Sequence, residues 1–509
     1  MHNLLGNVWL VPLLPLLAAA WIALGYLLGS NRGEAGEKDT ALTSMTGVGI
    51  SLLYLLAVDA VSLVYGFPGQ IRLGSWLQSG NYHVALSFGL DLLGLSMGTL
   101  VALISLLVVR FSINYVHREP GFQRFFIILN VFCSGMLLIV LAGNAVLAFV
   151  GWELAGISSY LLIGYMFNRD TATINASQAL VTNRIGDAAF IIGITASFIW
   201  LGTMEWPVIN NSDLSRMHAG LIAVSFLIAA MAKSAMVPFS PWIARALEGP
   251  TPSSAVFYGS LMVHAGVYLV IRLEPLFVSA GLLPLLIFVG LLTFAYGYLI
   301  GLVQTDVKSA LIFSVTSQIG LMIFLCGLGL FSVAAIYMLL HACFRAWQFL
   351  LAPSFMHNIH RPPKPVNRWL ARQHWLYTAC LQRFWLDHLA RWLIVNPANE
   401  LGHDVRNFDE KVIQRMVGLP ELANHESSLT ERRKSQRIGT GRGMAGRFMQ
   451  TLASAFGWFE EHLVLKGGGE SLTVLLNYLG GYMARVENLL AQPRYLLLLI
   501  VATFIVILS

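Results

Sequence analysis

Charge is what this chain has least of. Asp, Glu, Lys and Arg make up only 11% of its 509 residues, and 56% are hydrophobic; ordinary soluble domains carry about 25% charged residues. That excludes a set of soluble domains. The formal net charge of +6, much of it in one tail segment, gives no reason to expect a nucleic-acid partner. Cysteine is scarce as well. Cys133, Cys326, Cys343 and Cys380 are scattered without ligand-like spacing, which argues against a disulfide framework or a metal site. The chain also lacks a P-loop, a dinucleotide-binding glycine pattern and a nucleophile elbow. No cofactor is expected, and redox chemistry or nucleotide hydrolysis would have to come from another subunit.

What the chain does have is long apolar runs. A bilayer core about 30 Å thick takes about 20 apolar residues per helix. Candidate spans fall near 8–28, 42–66, 92–115, 123–142, 144–166, 174–201, 219–239, 252–273, 280–302, 309–329, 331–355 and 494–509. These predict an all-α, polytopic transmembrane bundle of about twelve helices in the cytoplasmic (inner) membrane, in contact with the lipid bilayer. The first run lacks a basic leader and a cleavage site, so it reads as a retained helix. Residues 69–87 mix Trp76 and Tyr82 with polar groups, as an exposed, partly extended loop would.

Two spans are expected to be discontinuous. Pro238 and Pro241 follow Lys233 directly, and Pro250 and Pro252 come soon after. Proline removes a helical hydrogen bond, and irregular backbone at membrane depth is tolerated only inside protein or beside water. Transporters build ion sites from such broken helices; the plainer alternative is a loop between two helices. From His357 the character changes. Arg361 to Pro365 is proline-rich, and Trp369 to Val395 interleaves apolar residues with Arg372, Arg383, Asp387 and Arg391, as an amphipathic helix on a membrane or partner surface would. Residues 431–447 form a basic linker, suited to anionic lipid, an acidic partner or plain solvation. The expected divisions are 1–84, N-terminal helices and loop; 85–356, core; 357–493, amphipathic and basic segment; and 494–509, terminal anchor.

Within the core sit ionisable groups that are expensive at membrane depth. Glu153 lies in LAFVGWELAGISSYLLIGY (147–165) and Lys233 in LIAVSFLIAAMAKSAMVPF (221–239). A lysine out of water gives up its proton more readily, and a nearby carboxylate restores it, so such a pair can take turns holding a proton. A static ion pair is the alternative. Arg184 and Asp187 lie within one turn of each other, His264 interrupts an apolar run, and Lys308 follows Asp306. His341 precedes Arg345 by one turn, so both can line one path. Histidine can relay protons near physiological pH. Singly, each group has an ordinary explanation, with Lys308 at a helix end and His264 a hydrogen-bonded core residue; together they suggest a polar axis.

Six strings carry a resemblance: GWELAGISSYLLIGY (151–165), NRIGD (183–187), AKSAMVPFSPW (232–242), EGPTPSSA (248–255), QTDVKSALIFSVTSQIG (304–320) and HACFRAWQFL (341–350). In order and spacing they resemble the antiporter-like proton-channel family. That family includes the L subunit of NADH–quinone oxidoreductase (NuoL), the large Mrp antiporter subunit (MrpA) and DabB of inorganic-carbon pumps. The resemblance implies that Glu153 is the essential glutamate, Lys233 the half-channel lysine on a broken helix and His341 a family histidine. Three positions depart from it. Tyr258 stands where the family has histidine, with His264 displaced along the helix. Arg345 replaces a lysine, and Tyr337 replaces a further histidine. In the L subunit three more core helices follow the eleventh, whereas here the proline-rich break follows at once. RFWLDHLARWLIVNP (383–397), 408–418 and the last apolar helix are similar to that subunit's C-terminal portion.

The leading expectation is a proton-conducting subunit that drives inorganic-carbon uptake with a large DabA-type partner, soluble or peripheral and zinc-containing. The first alternative is an L-type subunit among other membrane-arm subunits. A Na⁺/H⁺ antiporter subunit and a non-conducting scaffold are the others.

Overall fold

The computed structural model describes residues 2–79, 82–358, 366 and 368–408. The break at 361–365, the linker at 431–447, residues 409–418 and the anchor expected at 494–509 lie outside them. Eleven helices among the described residues are long and apolar enough to cross a membrane. They are α1 Leu10–Leu28, α2 Glu37–Tyr65, α3 Leu92–Tyr115, α4 Phe122–Leu141, α5 Ala145–Ile163, α6 Asp170–Leu201, α7 Arg216–Lys233, α8 Thr251–Arg272, α9 Leu283–Gly301, α10 Val307–Gly327 and α11 Phe331–Asn358. The polytopic helical reading is correct, and the protein is a multi-pass membrane protein.

Helix starts follow from local chemistry. The first turn of a helix leaves N–H groups without partners, and a short polar side chain just before it can accept from them. Asp91 does this for α3 through Gly94 N–H at 2.8 Å, Asn144 for α5 through Leu147 N–H at 2.8 Å, and Asp306 for α10 through Ser309 N–H at 2.8 Å. Close packing follows from glycine. A Cβ on Gly151 of α5 would lie 2.5 Å from the Gly135 carbonyl of α4, so these two backbones touch. The α9–α10 seam is similar, with Gly290 against Gly320, Gly297 against the Ser317 backbone and Gly327 against the Ile287 backbone. A Cβ on Gly320 would lie 2.3 Å from the Phe294 amide nitrogen. Every residue of α4 except Arg124 is buried.

The stretch expected to be a partly extended loop is an antiparallel hairpin, β1 Gly69–Ser79 and β2 Tyr82–Leu90. Register shifts between Arg72 and Gly74 and between Ser75 and Leu77 break the alternation that would announce a strand. Buried Glu205 fastens the hairpin, accepting from Gln70 Nε2 and from Ser87 Oγ at 2.8 Å.

The chain divides into two compact units, and the first contains the described residues up to Arg391. In it, the amphipathic stretch is not one helix. It comprises Arg368–Arg372, His374–Leu381 and Leu386–Ala390, broken where Arg383, Phe384 and Trp385 all take positive φ. The break lets Phe384 reach the Tyr296 ring, 6.1 Å between centroids, and Asp387 accept from Arg245 Nε at 3.1 Å. Cys380 and Leu370 pack with Val303. The second unit is described only to residue 408 and contains the helix Asn396–Phe408.

Candidate proton path

Lys233 is the last residue of α7. The helix stops there because Pro238 and Pro241 cannot extend its hydrogen-bond ladder, and Ala235 turns the chain with φ +51. The carbonyl of Ala232 accepts from the Ala235 N–H at 3.3 Å and from Trp242 Nε1 at 2.9 Å. The helix is therefore interrupted as expected, and its end puts the Lys233 amine against α5. Lys233 is 1% exposed; its Nζ donates to the Trp152 carbonyl at 2.8 Å and lies 5.0 Å from that indole's centre.

Glu153, the next residue along α5, does not meet Lys233. Its carboxylate accepts from Arg184 Nη1 of α6 at 2.5 Å. Arg184 also lies 3.4 Å from Asp187, whose other oxygen accepts from Trp152 Nε1 at 3.1 Å. Among the described residues Lys233 has no carboxylate within ion-pair distance; Glu153 and Asp187 both pair with Arg184. The acid–base pair imagined from the sequence is thus an array of Glu153, Arg184, Asp187, Trp152 and Lys233. It runs from Arg184, whose side chain is 46% exposed, to a sealed amine. Neutral as well as charged hydrogen bonds hold it, so no member is isolated.

A second cluster joins α8, α10 and α11. Helix α8 opens into a wide turn over Ala255–Ser260, where the Val263 N–H reaches back to the Phe257 carbonyl at 3.1 Å. This is the second interruption, and such widened turns often mark functional positions. His264 starts the helix again, with Nε2 2.9 Å from His341 Nδ1. Arg345 Nε donates to His341 Nε2 at 3.0 Å, and its two terminal nitrogens donate to Gln348 Oε1 at 2.7 Å and Ser314 Oγ at 2.5 Å. His341 and Arg345 do share a face, as their spacing predicts. Tyr337, one turn before, donates to Gln318.

Tyr258 stays apart from both clusters. It is fully buried, its ring lies 5.8 Å from that of Trp242, and its hydroxyl has no partner among the described residues. Lys308 sits half-buried in the first turn of α10, with no ion pair among the described residues. Sequence reasoning missed Trp152, Trp242, Ser314 and Gln348. All four stand within the quoted strings; Gln348 shares a helix face with Arg345 three residues before it, whereas Trp152, Trp242 and Ser314 act through contacts between separate elements, which no spacing along the chain encodes.

Residues 142–367 match the family described as "NADH:quinone oxidoreductase/Mrp antiporter, TM", and residues 76–126 match "NADH-Ubiquinone oxidoreductase (complex I), chain 5 N-terminus". NADH-ubiquinone oxidoreductase chain 5 of Rhizopus stolonifer is 39% identical over 356 residues, covering 68% of this chain and 53% of that one. NADH-quinone oxidoreductase subunit L of Mycobacterium tuberculosis is 35% identical over 358 residues, covering 69% and 56%. This chain spans about half the length of the curated relatives it matches. Among solved structures, the Mrp complex from Dietzia sp. DQ12-45-1b superimposes with a TM-score of 0.59 at 25% identity, covering 67% of this chain and 37% of that one. The membrane-bound sulfane sulfur reductase, an archaeal respiratory membrane complex, gives 0.59 at 19% identity and shares the fold alone; the match covers 68% of this chain and 70% of that one.

Proposed function

The chain belongs to the NADH:quinone oxidoreductase/Mrp antiporter family, and from that premise we propose that it is an L-type proton-translocating membrane subunit working beside other membrane subunits. The observation that carries this is the array from Glu153 through Arg184, Asp187 and Trp152 to Lys233. Such groups are costly at membrane depth and mark ion pathways. Protons would reach Glu153 and Asp187 from the exposed Arg184 side, and Asp187 would link that side to Lys233. Bridging waters could span the gaps that are longer than a hydrogen bond. Residues 85–356 are assigned as the conducting core, and the cytoplasmic membrane as its location.

The relatives favour this reading over inorganic-carbon uptake with a DabA-type partner, for which they offer no support. A Na⁺/H⁺ antiporter subunit stays as the second reading, because the Mrp complex shares the fold at 25% identity. Proteoliposomes carrying the full chain, with an imposed pH gradient and an internal pH dye, test the proposal. Wild-type vesicles should dissipate the gradient faster than empty ones, and Glu153→Gln or Lys233→Ala should bring the rate back to that of empty vesicles. Equal proton permeability in all four preparations would overturn the proposal. Sodium-dependent flux would transfer the assignment to the second reading.

A further inference from the structure

His264, His341 and Arg345 form a chain of donors with only one consistent arrangement of protons. Arginine has five N–H donors and no acceptor. The contact from Arg345 Nε to His341 Nε2, 3.0 Å, therefore requires that His341 Nε2 be bare. A neutral imidazole then carries its proton on Nδ1, and that N–H points at His264 Nε2, 2.9 Å away. His264 Nε2 must accept, so His264 also carries its proton on Nδ1. An imidazolium at His341 would set an N–H against the guanidinium N–H and is excluded while Arg345 stays in place. The guanidinium is held there by Gln348 Oε1 at 2.7 Å and Ser314 Oγ at 2.5 Å, and it is only 6% exposed.

The charge adds a second effect. Arginine does not give up its proton inside proteins. Among the described residues no carboxylate lies within ion-pair distance of Arg345; the described ion pairs involve other groups. A fixed, uncompensated cation in a narrow polar path repels protons, as arginine does in water-selective pores. We propose that Arg345 is a stopper: it fixes both histidines in one tautomer and closes the His264–His341 pair to proton transit. His264 Nδ1 already carries a proton, so the pair takes up no further one at that end, and flux through the protein runs by way of Lys233. Arg345 acts through His341 and is a positioning residue.

This rests on the chain being proton-conducting, so the test has two arms. In the first, the full chain is labelled with ¹⁵N-histidine in lipid bilayers, and nitrogen shifts separate the two neutral tautomers from imidazolium. The His341 signal is identified by its loss in His341→Gln. At neutral pH the wild type should show His341 protonated at Nδ1 and bare at Nε2. A proton on Nε2, or an imidazolium, would overturn the stopper whether or not the protein conducts. The second arm measures proteoliposome proton flux for Arg345→Lys, which keeps a cation but supplies a releasable proton. Flux should rise severalfold, and the His341 signal should become a mixture of tautomers. An Arg345→Lys rate equal to a measurable wild-type rate would also overturn the inference. If no vesicle conducts while His341 is protonated at Nδ1 alone, the conducting role fails and the tautomer lock stands.

Discussion

The Lys233 ammonium has three donors and, among the described residues, one acceptor, the Trp152 carbonyl at 2.8 Å; the indole face supplies a cation–π contact. Lys233→Arg keeps the charge but removes the releasable proton, so vesicle proton flux should fall by about 10²-fold, the usual worth of a positioned acid–base group. Wild-type flux in that variant would remove lysine titration from the mechanism. Gly156 offers a milder test. A Cβ there would lie 3.0 Å from Lys233 Nζ, so Gly156→Ala should push the amine aside and lower flux by less than Lys233→Arg does. Glu153 and Lys233 could be singled out from the sequence because ionisable residues are rare in such apolar strings. That Arg184 and Asp187 stand between them could not. Which side chains meet across two helices depends on how each helix is rotated, and the apolar strings here show little amphipathic bias to fix it.

At the scale of elements, glycine decides the tightest contacts. Backbones at the α9–α10 seam approach so closely that Gly320→Val must separate the helices or distort them. Overpacking costs roughly 1–3 kcal/mol, so the variant should unfold at a lower temperature in detergent; an unchanged midpoint would show that the seam yields freely. The same scale explains what the sequence hid in α8. A regular helix would carry Tyr258 and His264 forward with 3.6-residue periodicity, but the wide turn at 255–260 re-phases the second half. Tyr258 is thereby turned to Trp242 and His264 to His341. The displaced histidine noted in the sequence is thus in contact with a histidine of α11 after all. The hairpin was hidden for a related reason, since its two register shifts spoil the two-residue period. The break at Arg383–Trp385 has no proline or glycine to announce it.

Across the whole molecule, one ion pair ties the end of the hairpin to the end of α8. Arg272 donates to both oxygens of Asp91 and to the Tyr268 hydroxyl at 2.6 Å, which in turn donates to the Val140 carbonyl of α4 at 2.6 Å. Burial pushes the Asp91 carboxyl up, but the Arg272 hydrogen bond and charge, with the Gly94 N–H, bring it below its ordinary value. A carboxyl lowered in the folded state contributes stability that is complete above its unfolded value, about 3.9, and is lost as pH falls through the folded one. Thermal midpoints of the wild type and Asp91→Asn should therefore differ at neutral pH and converge below about pH 4. A constant gap across that range would show that the pair does not titrate with unfolding.

Helix α4 is sheathed by protein along its whole length. Almost none of its twenty residues meets lipid, so the bilayer cannot hold it at a given depth. Its neighbours set its height, through contacts such as Gly135 on Gly151 and Tyr268 on Val140. Its oily composition therefore serves the moment of biogenesis, when the translocation machinery sorts each segment by its own hydrophobicity. A hydroxyl placed in this pillar could find a neighbour in the finished bundle and still delay the segment on its way in.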